Sequence, residues 1–499
     1  MYVLGIDLGT SGCKACAVDA AGRVAAEGSV GYPTSSPQPG WAEQDPADWI
    51  GAVVEAVGKL TESGAVAPTD VAGLALSCAA HIGVLLDEHD QPLRPAILWS
   101  DQRSHQEVAE LERECGDEVF QLTHQRVSTT WTLPHLVWVR RHEPDVWSQV
   151  RRVLLSKDYL LWWLTGRRVT DPATAVSAQL YDARAGQWSE RLCGLAELTT
   201  DMLPQIVPPT DVAGTLTDAV AKKLGLPPAT PVVVGTLDSA AETYGAGVDQ
   251  PGQCLLRVAT AGGAHLVLPE PHPHPRLITY PHPRQPLWYS QAGTSSCASA
   301  VRWAIDCFSS DGTLSFEDWD RLAASAPAGC EGLMFHPYLA GERCPYWNPD
   351  LRASFVGATA AHGTAHFARA VYEGTACSIR DALSALAELG IGPAPFVAVG
   401  GGTASGIWMQ ILADVLDRPL DIAPAADSSY GAALLGLEGL GLRAKSEAPE
   451  HAEQPTGDKS SVARRYAPRE TESAAYDQLF ERYRRVQQAL APLYGTDSS

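Results

Sequence analysis

Long hydrophobic runs are absent from this sequence of 499 residues: its most apolar stretch, from Tyr159 to Leu164, is far too short to cross a bilayer. No basic and then apolar segment opens the chain, so we expect no secretory signal. Basic residues are scarce, because 37 lysines and arginines face 58 acidic residues and leave a formal net charge of −21. A surface for nucleic acid or an anionic membrane would need a basic face, so we expect neither partner.

The cysteines lack a spacing framework. There are eleven, an odd number, scattered from Cys13 to Cys377. One Cys-x-x-Cys pair, Cys13 and Cys16, falls in a predicted strand, where residues three apart face opposite sides. We interpret this pair as packing, and neither as a redox motif nor as zinc ligands. Reduced thiols and a cytoplasmic location are the expectation.

The rest of the composition is that of an ordinary soluble globular protein, with 45% hydrophobic and 19% charged residues. A chain of this length holds two or three domains. Runs typical of strands are mixed with runs typical of helices, which predicts an α/β fold. We predict one domain over residues 1–247, a second over residues 248–442, and a polar excursion with a final packing helix over residues 443–499.

Two stretches of the chain follow one plan of strand, glycine-containing turn and strand. The first comprises strands from Tyr2 to Ile6 and from Cys13 to Val18, and the second comprises strands from Gln253 to Val258 and from Ala264 to Leu268. The identity between the two stretches is faint. A duplicated core is therefore a hypothesis at this point.

Two helices are predicted with defined features. Asp45 as a cap and Pro46 at the first helical position begin one of them. The last helix is predicted from Tyr476 to Leu490, because its apolar residues recur on one face. We expect that face to pack onto the body of the protein.

The opening motif, GIDLGTSGCK from Gly5 to Lys14, predicts a β-hairpin. Its turn offers backbone N–H groups and the hydroxyls of Thr10 and Ser11 to an anion, and Asp7 is placed to hold a cation beside it. With Lys14 included, the motif predicts a phosphate–Mg²⁺ site in which Asp7 binds the metal partly through water. An ordinary glycine hairpin at a sheet edge is the alternative.

Three glycine-containing turns each follow a predicted strand: Gly9 to Gly12, Ala259 to Gly263, and Gly400 to Gly402. None matches a P-loop, which ends in Gly-Lys-Ser/Thr, or a GxGxxG motif, so a different phosphate-binding architecture is required. An acid lies beside the first turn, and Asp238 precedes the second. Together they suggest a cleft in which two domains grip a nucleoside triphosphate.

Asp238 lies where a predicted strand ends and a helix begins. It is either an N-cap or a general base, since a carboxylate at the carboxyl end of a strand faces the crevice where ligands collect. His81 follows another strand and precedes Trp99 and Asp101, which offer an aromatic face and a carboxylate. Such a combination is typical of sugar binding, although a lone histidine is more often structural.

Several strings of residues give the chain its resemblance to the FGGY carbohydrate kinases, over nearly its whole length and with xylulokinases as the most similar members. They are GIDLGTSG at Gly5, WAEQDP at Trp41, LRPAILW at Leu93, SKDYL at Ser156, PYLAGER at Pro337, GGG at Gly400 and the tyrosine-rich final helix. Residues Ala353 to Gly357 and Phe367 to Glu373 resemble the C-terminal signature of the family, and Ala358 is smaller than the aliphatic residue usual there.

The resemblance implies two ribonuclease-H-like domains, a fold shared with actin and the heat-shock chaperones, hinged around a cleft for ATP and sugar. It implies Mg²⁺-ATP as phosphoryl donor, Asp238 as the base and a sugar contact at Ala80 and His81. Our predicted sugar site also includes Trp99 and Asp101. The predicted phosphate and nucleotide residues are Asp7, Thr10, Ser11, Lys14, Thr260, Gly262, Gly400, Gly401, Gly402 and Ser405.

The sequence departs from the family pattern at two places. Xylulokinases typically have Gly-Gln-Met-His-Gly where this chain has Cys78-Ala79-Ala80-His81-Ile82, so we expect a wider pocket. The second turn reads Ala259-Thr260-Ala261-Gly262, where the family usually has Gly-Thr-Ser-Gly. One hydroxyl is lost there, and alanine tolerates positive φ less well than glycine.

We therefore expect an ATP-dependent kinase of a small ketose or polyol, with D-xylulose as the first choice of substrate and D-xylulose 5-phosphate as product. An FGGY kinase for ribulose, gluconate or a tetritol is an alternative, as is a sugar- and nucleotide-binding regulator without turnover. An actin-like filament subunit would have no use for Asp238. The expected partner is a small molecule, and a homodimer is one candidate assembly.

Overall fold

The computed structural model describes residues 1–62, 64–309, 312–423, 426–443 and 464–494. The chain forms two compact units. Unit 1 contains Met1–Gly247, Tyr280–Pro286 and the described residues of Ala425–Gln454, and unit 2 contains the remainder. Residues 280–286 and 426–442 thus cluster with unit 1, although we predicted residues 248–442 as one domain. Much of the predicted polar excursion lies outside the described residues.

The strands and helices up to residue 245 belong to unit 1. The strands are β1 Tyr2–Leu8, β2 Gly12–Asp19, β3 Val24–Gly31, β4 Glu43–Gln44, β5 Val71–Cys78, β6 Gly83–Leu86, β7 Ala96–Ile97, β8 Arg152–Leu155, β9 Val169–Thr170, β10 Tyr181–Asp182, β11 Gln187–Trp188, β12 Gln205–Ile206, β13 Val212–Thr215 and β14 Pro231–Leu237. The helices are α1 Pro46–Glu62, α2 His105–Thr123, α3 Thr132–His142, α4 Pro144–Trp147, α5 Ser156–Thr165, α6 Pro172–Ser177, α7 Glu190–Leu195, α8 Asp218–Leu224 and α9 Asp238–Gly245.

The later elements follow in chain order; α14 lies in unit 1, β17 is divided between the two units after Thr279, and the others lie in unit 2. The strands are β15 Cys254–Val258, β16 Gly262–Leu268, β17 Ile278–Pro281, β18 Trp288–Gly293, β19 Met334–His336, β20 Ser354–Val356, β21 Phe396–Val399, β22 Leu420–Ile422 and β23 Arg465–Tyr466. The helices are α10 Ala298–Phe308, α11 Phe316–Ser325, α12 Thr364–Ala387, α13 Gly406–Leu416, α14 Ser428–Gly439 and α15 Glu470–Leu490.

The main sheet of unit 1 has the strand order β13-β14-β5-β1-β2-β3. Strands β1 and β2 form the predicted antiparallel hairpin, and β5 pairs in parallel with both β1 and β14. In that parallel register Leu8 lies beside Cys78, which lies beside Leu237. The three parallel strands therefore end together at one edge of the sheet.

Helices cover both faces of this sheet. Pro46 begins α1 as predicted, the Asp45 carboxylate accepts the Ala47 N–H at 2.9 Å, and the buried Trp49 belongs to the same core cluster as the β1 side chains. On the other face α14 approaches β1 so closely that a Cβ at Gly5 would lie 1.9 Å from the Ser429 carbonyl oxygen. Only glycine fits at that position of β1.

The main sheet of unit 2 has the order β17-β18-β16-β15-β21-β22-β23. Strand β15 pairs antiparallel with β16 and parallel with β21, and β21 pairs parallel with β22. A central hairpin followed by two parallel strands is also the plan of β2, β1, β5 and β14. The hypothesis of a duplicated core is confirmed at the level of strand topology.

The final helix buries the face predicted from its periodicity. Tyr476, Leu479, Phe480 and Tyr483 of α15 are buried in the core of unit 2. The helix begins at Glu470, six residues before the predicted start, because the prediction followed only the apolar positions. Its first turn is acidic, with Glu470 and Glu472, and acidic side chains stabilise a helix N-terminus.

All eleven cysteines are free, and Cys13 and Cys16 are both buried in β2, which confirms that this pair serves packing. Among the residues that the structure describes, no helix is both long and apolar enough to span a bilayer.

Candidate active site

The carboxyl edge of the parallel strands in unit 1 brings together three of the predicted site segments. The turn from Gly9 to Gly12 follows β1, the pair Ala80-His81 follows β5, and Asp238 follows β14. Because Leu8, Cys78 and Leu237 are in register, these segments emerge side by side. Ligands collect at this edge of parallel sheets.

The first turn is closed by a hydrogen bond from the Gly9 N–H to the Gly12 carbonyl at 3.0 Å. The Trp99 indole N–H donates to the Thr10 hydroxyl oxygen at 2.9 Å, so the Thr10 hydroxyl keeps its own hydrogen to donate. Ser11 is exposed, and Asp7 is half-buried. The turn thus presents two hydroxyls and a neighbouring carboxylate, as predicted for a phosphate–metal site.

Lys14 lies opposite Asp7 in the hairpin register, but its ammonium forms ion pairs with other groups. Its Nζ contacts the Asp427 carboxylate, and the Glu27 carboxylate lies 3.1 Å away. Burial opposes the charge, yet Asp427 and Glu27 raise the pKa of Lys14 above its usual value. The structure therefore shows Lys14 paired within the protein, and its phosphate contact stays a prediction.

Asp101 also differs from its predicted sugar-binding role. Its carboxylate is fully buried, accepts three hydrogen bonds from Arg103 and accepts the Ala42 N–H at 2.6 Å. Burial opposes ionisation, but the Arg103 hydrogen bonds lower the pKa of Asp101 below its usual value. Arg103 in turn lies 3.7 Å from the ring centroid of Trp41. This buried cluster fixes the loop that carries Trp99.

His81 is held in an unusual backbone conformation. Its φ is 69°, in the left-handed region that non-glycine residues rarely adopt. Its N–H donates to the Ser177 hydroxyl at 3.3 Å, and its carbonyl accepts from the Thr132 hydroxyl at 2.9 Å. Such backbone strain clusters at functional sites. The neighbouring Ala80 is half-buried.

The His81 ring has a partner at each nitrogen. Nδ1 lies 3.1 Å from the Ser177 carbonyl oxygen, and Nε2 lies 3.2 Å from the Tyr280 hydroxyl. Burial lowers the pKa of His81 to about 4, so the ring is neutral near pH 7. Tyr280 was missed by sequence reasoning, because 199 residues separate it from His81.

Asp238 is the first residue of α9, and Leu237 is the N-cap, so the interpretation of Asp238 as an N-cap is wrong. One carboxylate oxygen, Oδ1, accepts the Ser239 N–H at 2.7 Å. The side chain is partly exposed. A carboxylate in the first turn of a helix is stabilised in its ionised form by the helix dipole. This environment suits a general base.

A buried ionic cluster supports the end of β14 and was also missed. The Lys157 Nζ lies 3.0 Å from Asp158 Oδ1 and 3.3 Å from Asp171 Oδ1. Asp171 caps α6 and accepts from the Thr236 hydroxyl at 2.6 Å. The cluster thus joins the strand before Asp238 to the helix that ends at Ser177. The SKDYL string and an Asp-Pro helix start were its signals in the sequence.

In unit 2 the second glycine-containing turn connects β15 to β16. Thr260 is exposed, and its carbonyl accepts from the Ser299 hydroxyl at 2.8 Å. The Gly262 N–H donates to the Thr294 hydroxyl at 3.1 Å, and a Cβ at Gly262 would lie 2.7 Å from that oxygen. Neither Ala259 nor Ala261 has a positive φ, so the expected conformational penalty of alanine in this turn is wrong.

The third turn follows β21, which is in parallel register with β15. Gly400 has φ 97°, and a Cβ there would lie 2.6 Å from the Val258 carbonyl oxygen. Gly401 is exposed, whereas Gly402 is buried. The Ser405 hydroxyl caps α13 by accepting the Trp408 N–H and donates to Asp320 at 2.7 Å. Ser405 therefore stabilises the start of α13, a structural role that the sequence analysis did not predict.

No group of three or more histidine, cysteine, aspartate or glutamate side chains that could hold a metal occurs within the described part of the chain. Asp7 with the Thr10 and Ser11 hydroxyls is a set of hard oxygen donors. Such a set fits a divalent cation whose remaining ligands come from water and nucleotide phosphates, which is the usual mode for Mg²⁺.

Comparison with known proteins gives matches along nearly the whole chain. The N-terminal domain of the FGGY family of carbohydrate kinases matches residues 2–245, and the C-terminal domain of that family matches residues 259–439. Xylulose kinase from Bacillus subtilis (strain 168) is 32% identical over 491 residues, covering 97% of this chain and 96% of the relative.

Solved structures give the same result for the fold. The ligand-bound xylulose kinase from Lactobacillus acidophilus has a TM-score of 0.90 and 28% identity, and all of both chains is covered. Gluconate kinase from the same organism also has a TM-score of 0.90 and 28% identity, covering 100% of this chain and 99% of the other. The two-domain α/β fold expected from the sequence is confirmed.

Proposed function

Because the chain belongs to the FGGY family of carbohydrate kinases, we propose that it transfers the γ-phosphoryl group of ATP to a small ketose, with D-xylulose as the first choice. Membership of this family implies ATP as a substrate and, typically, a divalent metal. The observation that carries the proposal is the common strand edge in unit 1, where the first turn, His81 and Asp238 follow three strands in register. The similarity to xylulose kinases supports the choice of sugar.

Asp238 is the general base in this proposal. The terminal hydroxyl of the sugar gives its proton to an Asp238 carboxylate oxygen while its own oxygen forms a bond to the γ-phosphorus. The bond between that phosphorus and the departing ADP oxygen breaks in the same transfer. Positioning and neutralisation of charge supply most of the acceleration. The first-turn location of Asp238 favours its ionised form.

The phosphate and metal side of unit 1 uses Asp7 and the hydroxyls of Thr10 and Ser11. We propose Mg²⁺ as the metal, because carboxylate and hydroxyl oxygens are hard ligands. When bound, the ion neutralises charge on the phosphates. Lys14 is left out of this proposal, because its ammonium is paired with Asp427 and Glu27.

The nucleotide side in our proposal uses the two turns of unit 2. Thr260 and Gly401 are exposed and contribute polar backbone or hydroxyl groups. Gly262, Gly400 and Gly402 contribute by shape, because a side chain at each would collide with a neighbour. Ser405 acts by capping α13.

Gluconate is the second candidate substrate, since a gluconate kinase structure is as similar to the chain as a xylulose kinase structure. The charges at the strand edge favour the neutral sugar. His81 is neutral near pH 7 because burial lowers its pKa to about 4, and Asp7 and Asp238 are acidic. A substrate carboxylate would meet negative charge there without a compensating histidine cation.

A coupled assay of ADP release tests the proposal with D-xylulose, D-ribulose, gluconate, a tetritol and no sugar. We expect D-xylulose to stimulate turnover most and gluconate least. The highest kcat/KM on gluconate would overturn the choice of sugar but leave a carbohydrate kinase. Sugar binding without ADP release would instead indicate a regulator, and polymerisation independent of sugar would indicate a filament subunit.

The proposal extends to the cellular location and the oligomeric state of the enzyme. We propose a cytoplasmic location, which the eleven free cysteines support. We also propose a homodimer, which light scattering on the purified protein would test. A monomer at all concentrations would contradict that assembly without affecting the proposed reaction.

A further inference from the structure

Tyr280 is a buried tyrosine that the proposed phosphoryl transfer does not use. It belongs to the segment Tyr280–Pro286, which clusters with unit 1, and only 2% of its surface is exposed. Its hydroxyl lies 3.2 Å from His81 Nε2. Burial, together with the negative charge of Asp238, raises the pKa of Tyr280 well above its usual value, so the phenol keeps its hydrogen. The Tyr280 hydroxyl therefore contacts one residue proposed to bind the sugar, His81, and its pKa is raised by the charge of a second, Asp238.

The direction of the hydrogen bond between Tyr280 and His81 is set by the other partner of the ring. Nδ1 of His81 lies 3.1 Å from the Ser177 carbonyl oxygen, which can only accept. Nδ1 must therefore carry the hydrogen of the neutral ring, and Nε2 must be the acceptor. The Tyr280 hydroxyl consequently donates to Nε2, and both ring nitrogens are used within the protein.

We propose that the Tyr280 hydroxyl oxygen, and not a nitrogen of His81, is the polar group that this corner of unit 1 presents to the sugar. Its hydrogen is committed to His81 Nε2, so its lone pairs accept from a sugar hydroxyl. His81 is then a positioning residue that fixes the direction of the phenol O–H. This inference rests on the proposed sugar kinase function and makes its specificity explicit.

The arrangement selects for a substrate group that donates a hydrogen bond. A phenol oxygen whose hydrogen is already engaged cannot donate to a carboxylate or a carbonyl oxygen. A hydroxyl at that position of the sugar is accepted, whereas a carboxylate is left without a partner. Ala79 and Ala80 precede His81 on the same segment; Ala79 is buried and Ala80 is half-buried.

The substitution that tests the inference is Tyr280→Phe, which removes the hydroxyl and keeps the ring. The matched control is Tyr244→Phe, also in unit 1, where the hydroxyl bonds to Glu438 and accepts from Arg443 at 2.5 Å. Both variants are measured against D-xylulose and against analogues that each lack or invert one hydroxyl. Turnover and calorimetric sugar binding without nucleotide are recorded for every pair.

We expect Tyr280→Phe to lower kcat/KM for the parent sugar about 10-fold or more, the size of one lost hydrogen bond to a buried group. For one analogue the loss should vanish, because that analogue lacks the hydroxyl that Tyr280 contacts. Tyr244→Phe should leave the ranking of the analogues unchanged. An equal loss on all analogues would mean a merely structural role and would overturn the inference.

A measurement on the wild-type protein covers the case in which Tyr280→Phe does not fold. The ¹⁵N NMR shifts of the His81 ring, assigned by comparison with His81→Gln, report which nitrogen is protonated. Hydrogen on Nδ1 and none on Nε2 is expected, and a hydrogen on Nε2 would overturn the inference. Wild-type binding of sugar without phosphorylation would overturn the proposed function alone, and no binding of any sugar would overturn both.

Discussion

Units 1 and 2 share a strand plan but differ in the residues at the carboxyl ends of the strands. In unit 1 the three parallel strands end at the hydroxyl-bearing turn, at His81 and at Asp238. In unit 2 the comparable strands β15 and β21 end at turns that contain Thr260 and Gly400 to Gly402 but no carboxylate. The two units therefore differ in a few residues just beyond the strands. With the same strand plan, the residues after the strands include carboxylates in unit 1, whereas in unit 2 they are mainly glycines that expose backbone groups.

The largest effect on turnover should come from removing the Asp238 carboxylate, which has no counterpart in the two turns of unit 2. Asp238→Asn keeps the size of the side chain, so folding and sugar binding should survive. Turnover should fall by about 10²–10⁴-fold, the range typical of removing an acid–base catalyst. Sugar-stimulated ADP release and a thermal melt measure the two properties.

Asp218→Asn is the matched control, because Asp218 is also the first residue of a helix in unit 1 but is exposed and away from the strand edge. Its turnover should equal that of the wild type. If Asp238→Asn retained more than about a tenth of wild-type turnover, Asp238 would not be the base and the contrast between the units would fail.

The Ala79-Ala80 pair that precedes His81 should give the next largest effect, on substrate discrimination. Ala79 and Ala80 replace a larger pair that is typical of xylulokinases, so the wild type should accept several ketoses or polyols. Ala79→Gln with Ala80→Met should sharpen discrimination by about 10- to 200-fold, the range for one contact in a pocket. Values of kcat/KM over a sugar panel check this. A wild type that already prefers one sugar by many thousand-fold would contradict it.

Part of this site could be predicted from sequence because its signals are local. The hairpin around Thr10, the proline start of α1 and the strand before Asp238 all depend on neighbours within a few residues. The contacts that sequence reasoning missed involve distant partners instead. Lys14 and Asp427 are 413 residues apart, and the Tyr280 hydroxyl reaches His81 over 199. No periodicity or spacing reports such pairings.

Asp101 illustrates a different limit of sequence reasoning. Its partner Arg103 is only two residues away, so distance along the chain did not hide the contact. What could not be predicted was complete burial, which turns a candidate ligand into a structural ion pair. A carboxylate and an aromatic side chain in one string indicate sugar binding only when both remain reachable.

The glycine-containing turn after β21 in unit 2 should be sensitive to any added side chain, and Gly400→Ala tests this. Its φ of 97° and the close Val258 carbonyl leave no room for a methyl group. We expect a loss of about 1–3 kcal/mol in the free energy of unfolding and a higher KM for ATP. Gly401→Ala is the control, because nothing lies within 4 Å of a Cβ there. Equal effects of the two substitutions in urea titrations would count against the steric explanation.

The smallest effect should come from restoring the usual glycine and serine of the second turn. Ala259→Gly with Ala261→Ser removes no strain, because neither residue has a positive φ. We expect KM for ATP to stay within about two-fold, as for substitutions away from strained positions. Steady-state kinetics with varied ATP measure it. A much lower KM would show that the missing hydroxyl, and not the backbone, limits this turn.

The packing of α14 has a consequence for synthesis of the protein. The strand β1 leaves the ribosome long before α14, which covers it at Gly5 and begins only at Ser428. One face of the first sheet therefore stays uncovered while all of β15 to β22 is being made. Domains usually fold as units during synthesis, N-terminal first. Here the sheet that contains β1 must wait for α14, which follows β22 along the chain, so unit 2 can complete its central strands before α14 covers that sheet.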